Sequence, residues 1–295
     1  MENSDQTQNT TMLRRRATLM LLTTAIIWGS GFIPQKIGSN TLSPYAFNGI
    51  RYLLAALMVL TFARFKLPQG KTERGLTILA GVNLFIAANL QQLGIKHTTI
   101  GNAGFITTTY IALVPFLSFL IFRKKIVKKD YLAALLALAG LYLLTTSGKA
   151  LDKISIGDGI IFIGSVFWAL HILVVGQATS RTDPVQFSAG QFLVCAFLNL
   201  VTWLIFGGTP LKAVVDALPI LLYSGFVVIG MGFTLQAIGQ KHAGESQAAI
   251  ILGLEAVFAS LFGLVIFKES YTLTQVIGAA LIFFSVILSV NSGKD

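Results

Sequence analysis

The stretch Gln91-Gln-Leu-Gly-Ile-Lys-His97 returns as Gln236-Ala-Ile-Gly-Gln-Lys-His242, 145 positions further on (236 − 91). Working outward, the same offset pairs Ala103 with Ala248, Phe122 with Phe267 and Ser147-Gly148-Lys149 with Ser292-Gly293-Lys294. Upstream the offset is 140: Trp28 matches Trp168, Pro44 matches Pro184, Phe47 matches Phe187 and Leu60 matches Leu200. Five extra residues ahead of the third apolar run of the second copy explain the change. One apolar pattern recurs easily by chance, but ordered coincidences of Trp, Pro, Gln, Lys-His and Ser-Gly-Lys do not, so the chain is an internal duplication. Each copy holds five charge-poor runs. Five is odd, so the second copy lies upside down in the bilayer relative to the first. Inverted repeats mark secondary transporters, whose substrate site lies near the bilayer midplane between the halves.

The composition agrees. Of 295 residues, 54% are hydrophobic and 12% charged, against about 25% charged in soluble domains, and the mean hydropathy is +0.75. A membrane-spanning helix needs about 20 apolar residues, which leaves space for ten and for no large extramembrane domain. The runs lack the period-2 alternation of a membrane β-barrel, and lipid cannot satisfy free backbone groups, so each is predicted to be α-helical. The second run is long enough only if Arg51 lies inside its helix. Cys195 is the single cysteine, so no internal disulfide and no cysteine-based metal cluster can form. The net charge of +10 sits at the ends of apolar runs, whereas nucleic-acid binding needs a basic face on a soluble module.

Residues 1–16 read as a disordered cytoplasmic N-terminus, residues 17–148 as the first five-helix repeat and residues 149–295 as the second. Arg14, Arg15 and Arg16 precede an apolar run of about 20 residues, long enough to be a retained span and not a cleaved leader. In the first half, twelve Lys and Arg residues fall on the side of the N-terminus and only Lys36 and Lys96 on the other. This places both termini in the cytoplasm.

Polar groups inside spans point to a site. Glu255 lies about 14 Å into the ninth run by helical rise, where an unpaired acid costs on the order of 3 kcal/mol. It is a candidate for substrate contact or proton coupling, or a structural acid between helices. His171, one turn after Trp168, is a second proton-coupling candidate or a buried structural histidine. Trp28 shares a helix face with Gly31, Phe32 and Gln35. Trp28 and Trp168, as repeat mates, would flank a cavity or else pack against lipid and neighbouring helices. Arg51 either snorkels to the surface or pairs with a substrate carboxylate. Gln91, Tyr110 and Gln236 are expected to line the cavity, with the remaining Asn and Gln residues of the third run serving as polar glue. Gly29, Gly31 and Pro34 loosen the first helix, because Pro34 cannot donate to the Ser30 carbonyl, and form a candidate gate. His97 and His242 read as repeat relics at helix ends.

Several motifs resemble one family. Trp-Gly-Ser-Gly-Phe at 28–32, Pro44 with Arg51-Tyr-Leu53, the Gly101-Asn-Ala-Gly-Phe segment and Leu254-Glu-Ala-Val-Phe-Ala are similar to the EamA type of the drug/metabolite transporter superfamily, over essentially the whole chain beyond residue 16. The resemblance implies a basket of ten helices around a central cavity, a bacterial-type inner-membrane location and export of small metabolites such as amino acids or drugs. Ala256 stands where family members often carry a proline, so the ninth run has no proline of its own to break it. No P-loop, His-Glu-x-x-His or Gly-x-Ser-x-Gly motif occurs, so nothing points to ATP coupling, a cofactor or a bound metal. The expected partners are a small-molecule substrate and the lipid bilayer, with no nucleic acid and a homodimer left open. A membrane enzyme acting on a lipid-linked substrate, and a non-transporting receptor or scaffold, are the competing classes.

Overall fold

The computed structural model describes residues 2–124, 127–146, 155–267 and 272–292. Among them are ten spans long and apolar enough to cross a membrane, numbered here in chain order. They are Thr10–Thr41, Pro44–Phe62, Lys71–His97, Ile100–Phe122, Lys128–Thr146, Ile156–Thr179, Pro184–Phe206, Leu218–Gln240, Glu245–Phe262 and Leu273–Val290. The boundary at 148/149 and the paired Ser-Gly-Lys segments extend outside the described residues.

Repeat mates begin helices in the same way. Ser43 caps the second span by accepting from the Ala46 amide, and Asp183 caps the seventh by accepting from Val185 and Gln186. Pro44 and Pro184 follow as first helical residues, where the missing N–H costs nothing. Arg51 lies inside the second helix, as the length of that run requires. The first helix differs from expectation. It starts at Glu2, where the polar composition predicts disorder. Residues 2–16 contain no Gly or Pro, so nothing stops the helix from propagating upstream once the span behind it is formed.

The packing is two-fold. The first span packs on the eighth and ninth as the sixth packs on the third and fourth; the second packs on the eighth as the seventh packs on the third. Second on seventh, fourth on ninth and fifth on tenth are their own mates. Close crossings repeat as well. A Cβ on Gly94 would lie 2.7 Å from the Gly157 carbonyl oxygen, and one on Gly239 would lie 3.1 Å from that of Ala17. Gly239 and Ala17 are the repeat mates of Gly94 and Gly157. At the fifth–tenth crossing Gly140 and Gly278 meet backbone to backbone, each within 2.6 Å of the other's oxygen in the same sense, beside the fully buried Ala133 and Ala137. Small residues let membrane helices approach this closely.

Both central helices are interrupted at equivalent positions. The fourth span consists of Ile100–Thr108 and Tyr110–Phe122, the ninth of Glu245–Leu252 and Glu255–Phe267. In the fourth, Thr108 and Thr109 donate to the carbonyls of Gly104 and Ile106, both at 2.6 Å, and such side-chain bonds compete with the helical ladder. In the ninth, Gly253 lies at the interruption with Ile111 of the fourth span against its Cα. The break therefore forms without the proline that is absent at Ala256. It puts Tyr110 and Glu255, which are mates, at the first turn of the continuing helices.

Candidate functional site

A residue that touches its own repeat mate marks the two-fold axis. Two contacts of this kind bound a cavity. On one side the Tyr52 and Phe192 rings lie 6.1 Å apart; on the other, the Tyr110 hydroxyl donates to Glu255 Oε1 at 3.0 Å. Between them, all eight residues expected to bind substrate line one hollow: Trp28, Arg51, Gln91, Tyr110, Trp168, His171, Gln236 and Glu255. The volume open to a water's centre is about 40 Å³. One water needs roughly 10–15 Å³ of such space, so this arrangement admits a few waters, and a metabolite requires side chains to part.

The wall is an aromatic cluster centred on Phe233. Trp28, Trp168 and His171 place their rings 4.5, 5.8 and 5.8 Å from it, with Tyr52 and Phe192 at 6.4 and 6.3 Å. Sequence reading missed Phe233, Tyr52 and Phe32 as lining residues. Phe233 ends a segment of the eighth span, Tyr223–Phe233, that is wound as a π-helix. Its repeat-mate segment in the third span is ordinary α-helix. Wide turns of this kind concentrate at functional sites.

Polar groups in the cavity are unevenly paired. Trp168 Nε1 donates to Gln91 Oε1 at 2.8 Å. The mates of these two residues are Trp28 and Gln236. Both are in the cavity wall, yet Trp28 Nε1 and Gln236 Oε1 are buried without a partner. Gln236 instead donates to Gln240 at 2.8 Å. His171 Nε2 lies 2.9 Å from Gln191 Oε1 while its Nδ1 is unpartnered. Glu255 is 4% exposed and Arg51 3%; among the described residues neither has an ion-pair partner, and they do not pair with each other. Arg51 therefore does not snorkel: it lies on the Phe47 and Tyr52 rings, 4.8 and 5.5 Å from their centroids. Among the described residues no group of His, Cys, Asp and Glu is arranged to hold a metal.

The first helix runs unbroken through Pro34. Gly29 and Gly31 act as contact points: a Cβ at Gly29 would lie 2.8 Å from the Glu255 carbonyl oxygen, and one at Gly31 would lie 2.7 Å from the Val228 side chain. Beyond Phe32 a larger vestibule of about 500 Å³ opens at the end where the first span finishes, bordered by Ile33, Lys36, Gly101, Ala259, Ser260 and Gln275 among others. Ile33, Ala259 and Ser260 are part-exposed there, while their mates Leu173, Val114 and Pro115 at the opposite end are buried. That opposite end carries an ion pair, Lys124 to Glu245 at 2.6 Å. His97 and His242 are exposed at helix ends, away from the cavity.

The duplicated fold has a counterpart in known sequences. The pattern of the EamA-like transporter family matches residues 15–146 and again residues 155–291. The chain belongs to the EamA-like transporter family. An archaeal relative from Archaeoglobus fulgidus, named an uncharacterized transporter, is 32% identical over 93% of this chain and 86% of its own. The Bacillus subtilis transporter YyaM is 25% identical over 91% and 92%. A solved crystal structure superposes with a TM-score of 0.77 over 94% of this chain and 97% of the other, at 16% identity, a likeness of fold. Membership makes this EamA-like protein a multi-pass membrane transporter, not an enzyme.

Proposed function

We propose that this EamA-like protein exports a small organic metabolite, of the amino-acid or drug-like kind, across the cytoplasmic membrane by alternating access, with both termini in the cytoplasm. Residues 17–148 and 149–295 act as the two rocking units. The carrying observation is broken symmetry around an otherwise two-fold cavity. One indole–amide bond, Trp168–Gln91, is made and its mate, Trp28–Gln236, is not; one end has a vestibule and the mate positions at the other are packed. Exchanging the two halves yields a second arrangement of similar energy in which Trp28 pairs with Gln236 and the opposite end opens. Trp28 Nε1 lies over Gly232, one turn from Gln236, on the side of its mate glutamine.

In this scheme Trp28, Arg51, Gln91, Tyr110, Trp168, His171, Gln236 and Glu255 contact substrate. Glu255, with His171 as a second candidate, carries the proton. Gly29, Gly31 and Pro34 form the sliding surface of the first helix on the eighth and ninth. The test uses Ile33→Cys and Leu173→Cys in sealed vesicles of both orientations, so that an impermeant maleimide reaches each end from outside; native Cys195 is fully buried. Labelling at the two sites should be reciprocal when the imposed gradient is reversed, and a panel of radiolabelled amino acids should cross unconverted. Labelling that rises and falls together at both sites overturns alternating access.

A further inference from the structure

Arg51 is a buried cation with no ion-pair partner among the described residues. Its Nε donates to Asn48 Oδ1 at 2.9 Å. Asn48 Nδ2 donates to Asn89 Oδ1 at 3.0 Å, and Asn89 Nδ2 donates to Asn199 Oδ1 at 2.8 Å and to the Phe85 carbonyl at 2.7 Å. Asn199 Nδ2 closes the chain on the Cys195 carbonyl at 2.9 Å. Three amides from the second, third and seventh spans thus fix one edge of the guanidinium, and two aromatic rings hold it in place. Its two terminal nitrogens have no protein acceptor among the described residues, and the residue lines the cavity. The repeat mate of Arg51 is Gln191, which is neutral, so the feature belongs to one half only.

A guanidinium taken out of water without an anion is expensive, and removing one partner of a buried pair costs more than the pair is worth. A rigid support for the Nε edge, with the opposite fork left free, is the geometry that accepts two coplanar oxygens. Arg51 is the one Lys or Arg side chain in the cavity wall, which matches a monoanion and leaves a phosphate-like dianion half neutralised. The rest of the wall is the Trp28, Trp168 and Phe233 cluster, suited to an apolar or aromatic body.

We infer that Arg51 is the carboxylate-binding subsite of the transport cavity, positioned by Asn48, Asn89 and Asn199, and that the substrate is a compact monocarboxylate with an apolar or aromatic body. This rests on the transport proposal for that cavity. The test uses the full chain in lipid nanodiscs and vesicles, with phenylacetate and phenylalanine as probes and phenylacetamide as the neutral isostere. Thermal unfolding reports binding, and vesicle flux reports transport. The carboxylates should raise the midpoint of unfolding and enter faster than into protein-free vesicles, and the amide should do neither. Arg51→Gln, which installs the residue its repeat mate already has, should weaken carboxylate binding on the order of tenfold or more. Asn48→Ala should raise KM for the carboxylates by a similar factor while leaving kcat within about twofold, since it frees the guanidinium without removing it.

Equal stabilisation by acid and amide in the unmodified protein, or no stabilisation by either carboxylate, overturns the subsite without any variant having to fold. Unchanged carboxylate affinity in a folded Arg51→Gln protein does the same while leaving transport standing. Carboxylate-selective, Arg51-dependent binding with no flux confirms the subsite and sinks the transport proposal.

Discussion

Trp168 and Trp28 occupy the same place in their respective repeats and face the same cavity, but only the first has a partner for its indole N–H. The residues are identical and so are their glutamine mates, but Gln236 donates to Gln240, whose mate is the apolar Ile95, so the neighbours differ as well as the conformation. On the transport proposal, an inverted pair satisfies one member of this bond set at a time. An unmade hydrogen bond between two groups that are both present and both buried leaves a latent alternative of similar energy. Where the two halves differ in sequence the lesson is different. Arg51 against Gln191, and Tyr110 against Glu255, are fixed asymmetries that no rocking can exchange, and these are the positions proposed to define the cargo and its driving force.

The largest effect is expected at the axis. Glu255 and Tyr110 are mates that bond to each other, so one variant removes the titration and the other removes the bond. Glu255→Gln should abolish accumulation driven by an imposed pH gradient while leaving substrate exchange at equal pH measurable, because the amide retains the shape and loses the titration. Tyr110→Phe removes one hydrogen bond to an ionisable group, worth about 1.5–3 kcal/mol, and should slow gradient-driven flux roughly tenfold or more without abolishing it. Accumulation unaltered in Glu255→Gln ends the proton-coupling role.

Much of this was legible in the sequence because polarity inside a bilayer is costly. Eight residues picked out for being polar, titratable or indole-bearing inside apolar runs converge on one hollow. Pairing Gln91 with Gln236 and Trp28 with Trp168 established the duplication and, through five helices per copy, its inversion. Phe233 was invisible, being one of 22 phenylalanines in a chain where apolar aromatics carry no signal of their own. Its position at the cavity centre depends on a π-wound segment that helical periodicity cannot predict. The fate of Arg51 was undecidable from depth alone, since snorkelling and inward burial differ only by which neighbours supply Asn48, Asn89 and Asn199. The unequal Trp–Gln pairs were out of reach for a deeper reason: the duplication pairs each Trp with a Gln and does not say which pair is bonded.

Next in size are the glutamines, where the comparison can be tipped either way. Gln91→Ala removes the acceptor of Trp168 and leaves a buried N–H unpaired in the arrangement seen here, a cost of about 1–3 kcal/mol. Populations should move by roughly 5- to 150-fold toward the exchanged arrangement, seen as lower labelling at Ile33→Cys and higher labelling at Leu173→Cys. Gln236→Ala removes nothing that Trp28 now uses, and takes away the partner it would gain on exchange, so labelling should shift in the opposite sense. Parallel shifts in the two variants would show that the pairs are packing contacts and not alternatives.

The smallest effect is expected at the closed end. Lys124 joins the fourth span to Glu245 at the start of the ninth. The vestibule end cannot copy this pair, because the mate of Glu245 is Ile100. The lysine side chain is 46% exposed and the glutamate 16%, so solvent screens the attraction and its worth is at most about 1 kcal/mol. Glu245→Gln should therefore raise labelling at Leu173→Cys only a few-fold. The same gain should appear in the unmodified pair when ionic strength is raised from 0.01 to 1 M, where the screening length falls from about 30 to 3 Å. Adding salt to the Glu245→Gln variant should then change nothing further. If salt still opens the closed end of that variant, some contact other than Lys124–Glu245 holds it shut, and the difference between the two ends lies in their packing alone.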